Sequence, residues 1–198
     1  IIIQFILYIK FCEGNLMRVI TGSARGKRLK TLEGIDVRPT TDRVKESIFS
    51  IIHFDLEGAT VLDLFSGSGQ LGIEALSRGA KFATFVDSSR NSIEVTKENL
   101  LSTGLMANAR IASMDSIDFL KGTKSTYDIA LLDPPYYKGI LLSVLPLLEK
   151  IMNTGGIVIC EHEKELTLPD NIGRLKKIKS YNYGKITLSL LKIKEDDE

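Results

Sequence analysis

Val61-Leu62-Asp63-Leu64-Phe65-Ser66-Gly67-Ser68-Gly69-Gln70-Leu71-Gly72-Ile73-Glu74-Ala75-Leu76-Ser77-Arg78-Gly79 decides the fold. The apolar run at its head, broken only by Asp63, reads as a buried strand. Residues 66–69 read as a turn, and residues 70–78 as a helix that Gly79 ends. A strand passing through a glycine turn into a helix is a nucleotide-binding βα unit, because backbone can approach the ligand closely and the helix N-terminus faces it. Gly67, Gly69 and Gly72 match G-x-G-x-x-G, and Asp87 ends the next apolar run about twenty residues on, where a ribose-binding acid belongs. On the glycines alone, a dinucleotide and S-adenosylmethionine fit equally. Asp63 favours the second. A carboxylate at the strand's end suits the positively charged methionine end of that molecule and sits less well beside an anionic pyrophosphate.

Working outward, strand-like and helix-like segments alternate. Residues 81–86, 108–112, 127–132 and 156–161 read as strands, and residues 89–102 and 138–152 as helices, with Pro146 placed to kink the last. Such alternation argues for a mostly parallel sheet with helices on both faces. Two strand-like runs, 175–183 and 186–194, joined near Gly184-Lys185, would add an antiparallel edge. Upstream, residues 18–22 and 27–30 read as a small hairpin. Arg38-Pro39-Thr40-Thr41 leads into a helix at 42–53, with Thr40 or Thr41 as its N-cap. Four segments are expected: a leader at 1–16, a hairpin-and-helix unit at 17–54, the main domain at 55–194 and an acidic tail at 195–198.

The strand at 127–132 runs directly into Asp133-Pro134-Pro135-Tyr136. The prolines fix φ and donate no N–H, so this loop is stiff and rich in acceptors. A carboxylate, rigid carbonyls and an aromatic face are what chemistry on the exocyclic amine of a nucleobase requires. The alternative is an ordinary rigid turn after a strand. A third acid, Asp115, follows the strand at 108–112; with Met114 it could hold an adenine ring and its amino group, or it could cap the helix that begins at Ser116.

Composition supplies the frame. The chain has 198 residues, 43% of them hydrophobic and 26% charged, which suits one domain with an appendage. The net charge of +1 conceals an uneven distribution. Arg18, Arg25, Lys27, Arg28 and Lys30 share a stretch without an acid; Arg38, Arg43 and Lys45 follow, and a second cluster runs from Arg174 to Lys185. Basic clusters near both ends suggest a phosphate-backbone footprint, or else solvated faces. Two cysteines, Cys12 and Cys160, form no disulfide framework and no metal spacing, so a reducing cytosol is the expected compartment. His53 and His162 are expected at a helix end or on the surface. The run 1–11 is too short to span a bilayer and lacks a signal peptide's basic start. Glu13-Gly14, encoded GAR-GGN, stands two residues before Met17 and contains the AGG of a bacterial ribosome-binding site. Met17 is therefore expected as the natural start, with a partner-binding strand as the rival reading of residues 1–16.

Taken together, 17–22, 25–29, the segment Arg38-Pro39-Thr40-Thr41-Asp42-Arg43, 63–69 and 133–136 resemble the bacterial small-subunit ribosomal RNA guanine-N2 methyltransferase family, methyltransferase D. The likeness covers nearly everything from Met17 to about Lys194, and residues 1–16 have no counterpart in it. It implies a Rossmann-like, seven-stranded methyltransferase fold with S-adenosylmethionine as donor. It also implies a guanine of 16S rRNA as target, within the small subunit or an assembly intermediate. On this reading Asp133, Pro134, Pro135 and Tyr136 carry the chemistry. Asp63, Phe65, Ser66, Gly67, Ser68, Gly69, Asp87, Ser88, Met114 and Asp115 hold the donor. Arg18, Arg25, Lys27, Arg28, Arg38, Thr40 and Arg43 contact RNA. No metal and no membrane enter, and a cytoplasmic monomer is expected. Three alternatives stay open: an adenine-N6 methyltransferase, an NAD-binding oxidoreductase and a non-catalytic RNA-binding assembly factor.

Overall fold

The molecule, as a computed structural model, is described over residues 17–32 and 42–194. The expected leader, the contacts of Arg38 and Thr40, the Thr40 or Thr41 cap and the acidic tail fall outside the described residues.

The apolar runs form strands β1 (Thr60–Leu64), β2 (Phe82–Asp87), β3 (Ala109–Ser113), β4 (Tyr127–Leu132) and β5 (Met152–Glu163), followed by β6 (Asn171–Ile172), β7 (Leu175–Tyr183) and β8 (Ile186–Ile193). They make one sheet in the order β3-β2-β1-β4-β5-β8-β7-β6. β1 pairs in parallel with both β2 and β4, while β5–β8 and β7–β8 are antiparallel. The expected seven strands are all present. The eighth, β6, is a two-residue addition beyond β7 that the sequence reading passed over, being too short to show a period.

Among the described residues, five α-helices cover the sheet: α1 (Asp42–Ile51), α2 (Gln70–Ser77), α3 (Arg90–Thr103), α4 (Ser116–Gly122) and α5 (Ile140–Leu148). One apolar core lies under α1, α2 and α3 and includes Ile48, Phe49, Leu71, Ile73, Leu100, Ile129 and Leu131. The other lies under α4 and α5 and includes Leu62, Leu64, Phe119, Ala130, Leu132, Val144 and Leu145. β4 shows why both exist: Ile129 and Leu131 face one core, Ala130 and Leu132 the other. A strand buried on both faces reads as a continuous apolar run, which is how this one reads. α5 is shorter than expected. It begins after Gly139, which has φ +63°, and it ends two residues past Pro146, giving way to a 3-10 turn at Glu149–Ile151.

The expected hairpin near the N-terminus is looser than a ladder. A single bridge joins Arg18 and Arg28. The segment is instead fastened to α2 and α3 by side chains. Glu74, fully buried, accepts the N–H groups of Ile20 and Thr21 at 2.7 and 2.9 Å and the Arg78 guanidinium at 2.7 Å. Asn99 accepts from the N–H of Lys30 at 2.7 Å and donates to the carbonyls of Lys30 and Ser68. Met17, Val19, Ala24 and Leu29 join the first core.

Candidate active site

The sheet order reverses between β1 and β4, and in open α/β sheets ligands bind outside the carboxyl ends of the strands at such a switch point. A cleft of about 750 Å³ opens there.

Its floor is the turn after β1. Phe65 takes φ +74°, and its N–H and that of Ser66 both donate to the Val86 carbonyl at 2.9 Å. The chain then turns through Gly67 into α2. Gly69 precedes α2 at φ +78°, a conformation glycine adopts without cost. Gly72 is required for a different reason: a Cβ there would lie 2.3 Å from a ring carbon of Phe85, so α2 packs directly on β2. The N–H groups of the three glycines are already engaged. Gly67 donates to Asp87 Oδ2 at 2.9 Å, Gly69 to the Ser66 carbonyl at 2.7 Å, and Gly72 to Asp63 Oδ2 at 2.8 Å. A pyrophosphate would need such donors free.

Asp63 is buried, and its carboxyl pKa is pushed up to about 7, chiefly by loss of solvent and further by the charges of Asp133 and Asp87, against the lowering effect of the Gly72 N–H. Asp87, at the end of β2, also accepts the N–H of Ser89 at 2.8 Å, so it braces the glycine turn while lining the cleft. Asp115 caps α4 by accepting the N–H groups of Ile117 and Asp118 at 2.8 and 3.3 Å, and it too lines the cleft beside the exposed Met114. Its two alternative readings are thus compatible.

The far wall is the loop after β4, where Asp133, Pro134, Pro135 and Tyr136 line the cleft together, followed by Tyr137 and Lys138. The Tyr136 hydroxyl donates to Glu161, and the Tyr137 N–H donates to Glu163 at 3.1 Å. Of the residues expected to hold the donor, Asp63, Phe65, Ser66, Gly67, Ser68, Asp87, Ser88, Met114 and Asp115 line this one cleft. Gly69 is not among the lining residues. It stands behind the turn, where a Cβ would meet Thr96 at 2.9 Å. The sequence reading missed Met17, Thr31 and Leu32, which form part of the cleft wall because the N-terminal segment folds back over α2 and α3.

The basic side chains of the first cluster lie elsewhere, whereas Lys138 and Lys185 line the cleft. Arg18, Arg25, Lys27, Arg28 and Arg43 are exposed, and none lines the cleft. Lys27 donates to the carbonyls of Ser102 and Thr103 at the end of α3, both at 3.1 Å. Lys45, grouped with the basic residues by sequence, is fully buried and donates to the Arg18 carbonyl at 2.8 Å. Loss of solvent lowers its pKa, and the nearby Glu74 and Asp42 oppose that shift. His162 is not on the surface but buried in β5, between the Glu163 carbonyl and the Ser189 hydroxyl. No described helix is long and apolar enough to cross a membrane.

The family model described as Conserved hypothetical protein 95 matches residues 17–192. The Bacillus subtilis protein named putative rRNA methyltransferase YlbH is 38% identical over 181 residues, covering 89% of this chain and 98% of its own. The Escherichia coli K12 protein named ribosomal RNA small subunit methyltransferase D is 36% identical over 155 residues, 77% of this chain and 78% of its own. A solved structure described as the putative methyltransferase yhhF from Escherichia coli superposes with a TM-score of 0.81 at 32% identity, over 89% of this chain and 97% of that one. By the match to its model and the identity to its members, this chain belongs to the Conserved hypothetical protein 95 family, that of the ribosomal RNA small subunit methyltransferases D.

Proposed function

We propose that this protein transfers a methyl group from S-adenosylmethionine to the exocyclic N2 of a guanine in small-subunit ribosomal RNA. The observation that carries the reading is the single cleft shared by the acid-lined glycine turn and the Asp133–Tyr136 loop. Relatives named as rRNA methyltransferases support the substrate class. The donor set fits the cofactor: Asp87 and Asp115, joined by Asp63 as it ionises near pH 7, make an anionic wall suited to a positively charged ligand, and the engaged glycine amides suit a pyrophosphate poorly.

When bound, S-adenosylmethionine supplies an electrophilic methyl group. Everything else is the task of this chain's residues. The N2 amine is a weak nucleophile because its lone pair is delocalised into the ring. Asp133 and the Pro134 carbonyl accept its two N–H bonds and so turn the lone pair out of that conjugation. Tyr136 grips the base by its face, worth roughly 1–3 kcal/mol per stacked base. Positive charge develops on the amine as it reacts, and the Asp133 carboxylate stabilises that charge and takes the proton. No strong base is required, since an alkylated ammonium on an aromatic ring is acidic. The base must be unstacked or single-stranded to enter.

Nucleoside mass spectrometry of 16S rRNA, with and without this protein, tests the reading. N2-methylguanosine should appear only with the protein. N6-methyladenosine in its place would assign the chemistry to adenine, and no new methyl group would defeat the proposal.

A further inference from the structure

Two buried carboxylates tie down the loop that carries the chemistry, and both lie on β5. That strand alternates: Ile157 and Ile159 face the core under α1–α3, and Val158 and Cys160 face the other. Glu161 and Glu163 continue the first row and pair across the antiparallel ladder with Leu188 and Ile186, which belong to that same core. They are 3% and 8% exposed. An apolar row that ends in two buried acids breaks the pattern, because a buried carboxylate is costly unless something engages it. The loop engages both. The Tyr136 hydroxyl donates to Glu161 Oε1, and the Tyr137 backbone N–H donates to Glu163 Oε1.

The chemistry of the loop accounts for these two attachment points. Pro134 and Pro135 have no N–H, so no backbone donor is available between Asp133 and Tyr136. The loop is anchored just beyond them, by one side chain and one main-chain group. Tyr137 takes φ +60°, a conformation a bulky residue seldom adopts without support. The residue is 72% exposed, while the rings of Tyr136 and Tyr137 meet edge to face with centroids 6.4 Å apart. Side chains two residues apart on one strand thus hold two successive residues of the loop.

We infer that Glu161 and Glu163 are positioning residues for the acceptor base: Glu161 fixes the Tyr136 ring through its hydroxyl, and Glu163 holds the backbone of Tyr137, so that the loop meets the base in one geometry. This rests on the proposed function, in which the loop carries the base.

The test uses the full chain, unmethylated small ribosomal subunits as acceptor, and calorimetry with S-adenosylhomocysteine. Glu161→Ala and Glu163→Ala should each lose about ten- to a hundredfold in kcat/KM for the subunit, the scale of a misplaced reacting group. Affinity for S-adenosylhomocysteine should stay within about twofold of wild type, since separate sites do not couple. Glu161→Gln and Glu163→Gln should recover most of the loss, because an amide oxygen still accepts. The double variant Tyr136→Phe with Glu161→Ala should be no worse than Glu161→Ala, because both changes remove one bond. The inference is overturned by wild-type turnover in the Ala variants, by equal loss of cofactor affinity, by Gln variants as impaired as Ala, or by multiplied losses in the double variant. A wild-type protein that makes no methylguanosine would instead defeat the proposed function, and the inference with it.

Discussion

The Asp63 carboxylate accepts the Gly72 N–H at 2.8 Å beneath the glycine turn, joining the end of β1 to the first turn of α2. The bond crosses only nine residues of chain, yet it fixes the geometry of the cleft floor. The third glycine is needed for a separate reason: a Cβ there would keep α2 from closing on Phe85.

A first prediction follows from the raised pKa of Asp63. The folded value of about 7 lies above the unfolded value of 3.8, so between these limits the folded state binds the proton more tightly. The contribution of this group to stability is fully present below the lower value and is lost as pH rises toward the upper, at up to about 1.4 kcal/mol per pH unit. Asp63→Asn should flatten the dependence of melting temperature on pH between those values. It should also weaken S-adenosylmethionine, whose affinity for the wild type should rise through pH 7 as Asp63 ionises. Parallel melting curves for the two proteins from pH 4 to 8 would refute the assignment.

Gly72→Ala should destabilise the fold. The added methyl would meet two carbons of the Phe85 ring at 2.3 and 2.7 Å, inside the core under α1–α3. Overpacking of this kind costs about 1–3 kcal/mol, measurable by urea denaturation. An unchanged denaturation midpoint would mean that α2 shifts freely over β2.

Asp87→Ala removes the acceptor of the Gly67 and Ser89 N–H groups and a carboxylate from the cleft. Affinity for S-adenosylhomocysteine should fall by about 1.5–3 kcal/mol, as for lost hydrogen bonds to a charged group. Calorimetry that returns the wild-type value would take Asp87 out of the binding site.

Asp133→Ala should abolish most methyl transfer while cofactor affinity stays near wild type. Tyr136→Ala should act mainly on use of the RNA. Single-turnover rates near wild type in Asp133→Ala would rule out the amine-orienting role.

RNA affinity should fall linearly with salt on a log–log plot, and replacing the exposed Arg25 or Arg28 by Ala should lower the slope by about one each if each meets a phosphate. Lys45→Met should leave the slope unchanged, because that ammonium is buried against the Arg18 carbonyl. A slope that ignores Arg25 and Arg28 would place the RNA on another face.

The sequence by itself determined what is local. Apolar periodicity and glycine placement are set by neighbours within a turn or a strand, so β1 to β5, α2 and α3 were legible, as were the acids at the strand ends and the Asp133–Tyr136 loop. Burial of single polar side chains is set by partners far along the chain, and there the tertiary structure decided. Glu74 looks like an ordinary helix residue until Ile20 and Thr21, over fifty positions away, donate to it. Lys45 reads as surface charge until the Arg18 carbonyl accepts from it. His162 reads as a helix-end or surface residue, and only the antiparallel pairing with β8 buries it against the Ser189 hydroxyl, as the approach of Tyr136 gives Glu161 its partner. A buried polar group is stable only where its hydrogen bonds are met, and no local pattern records which distant residue will meet them.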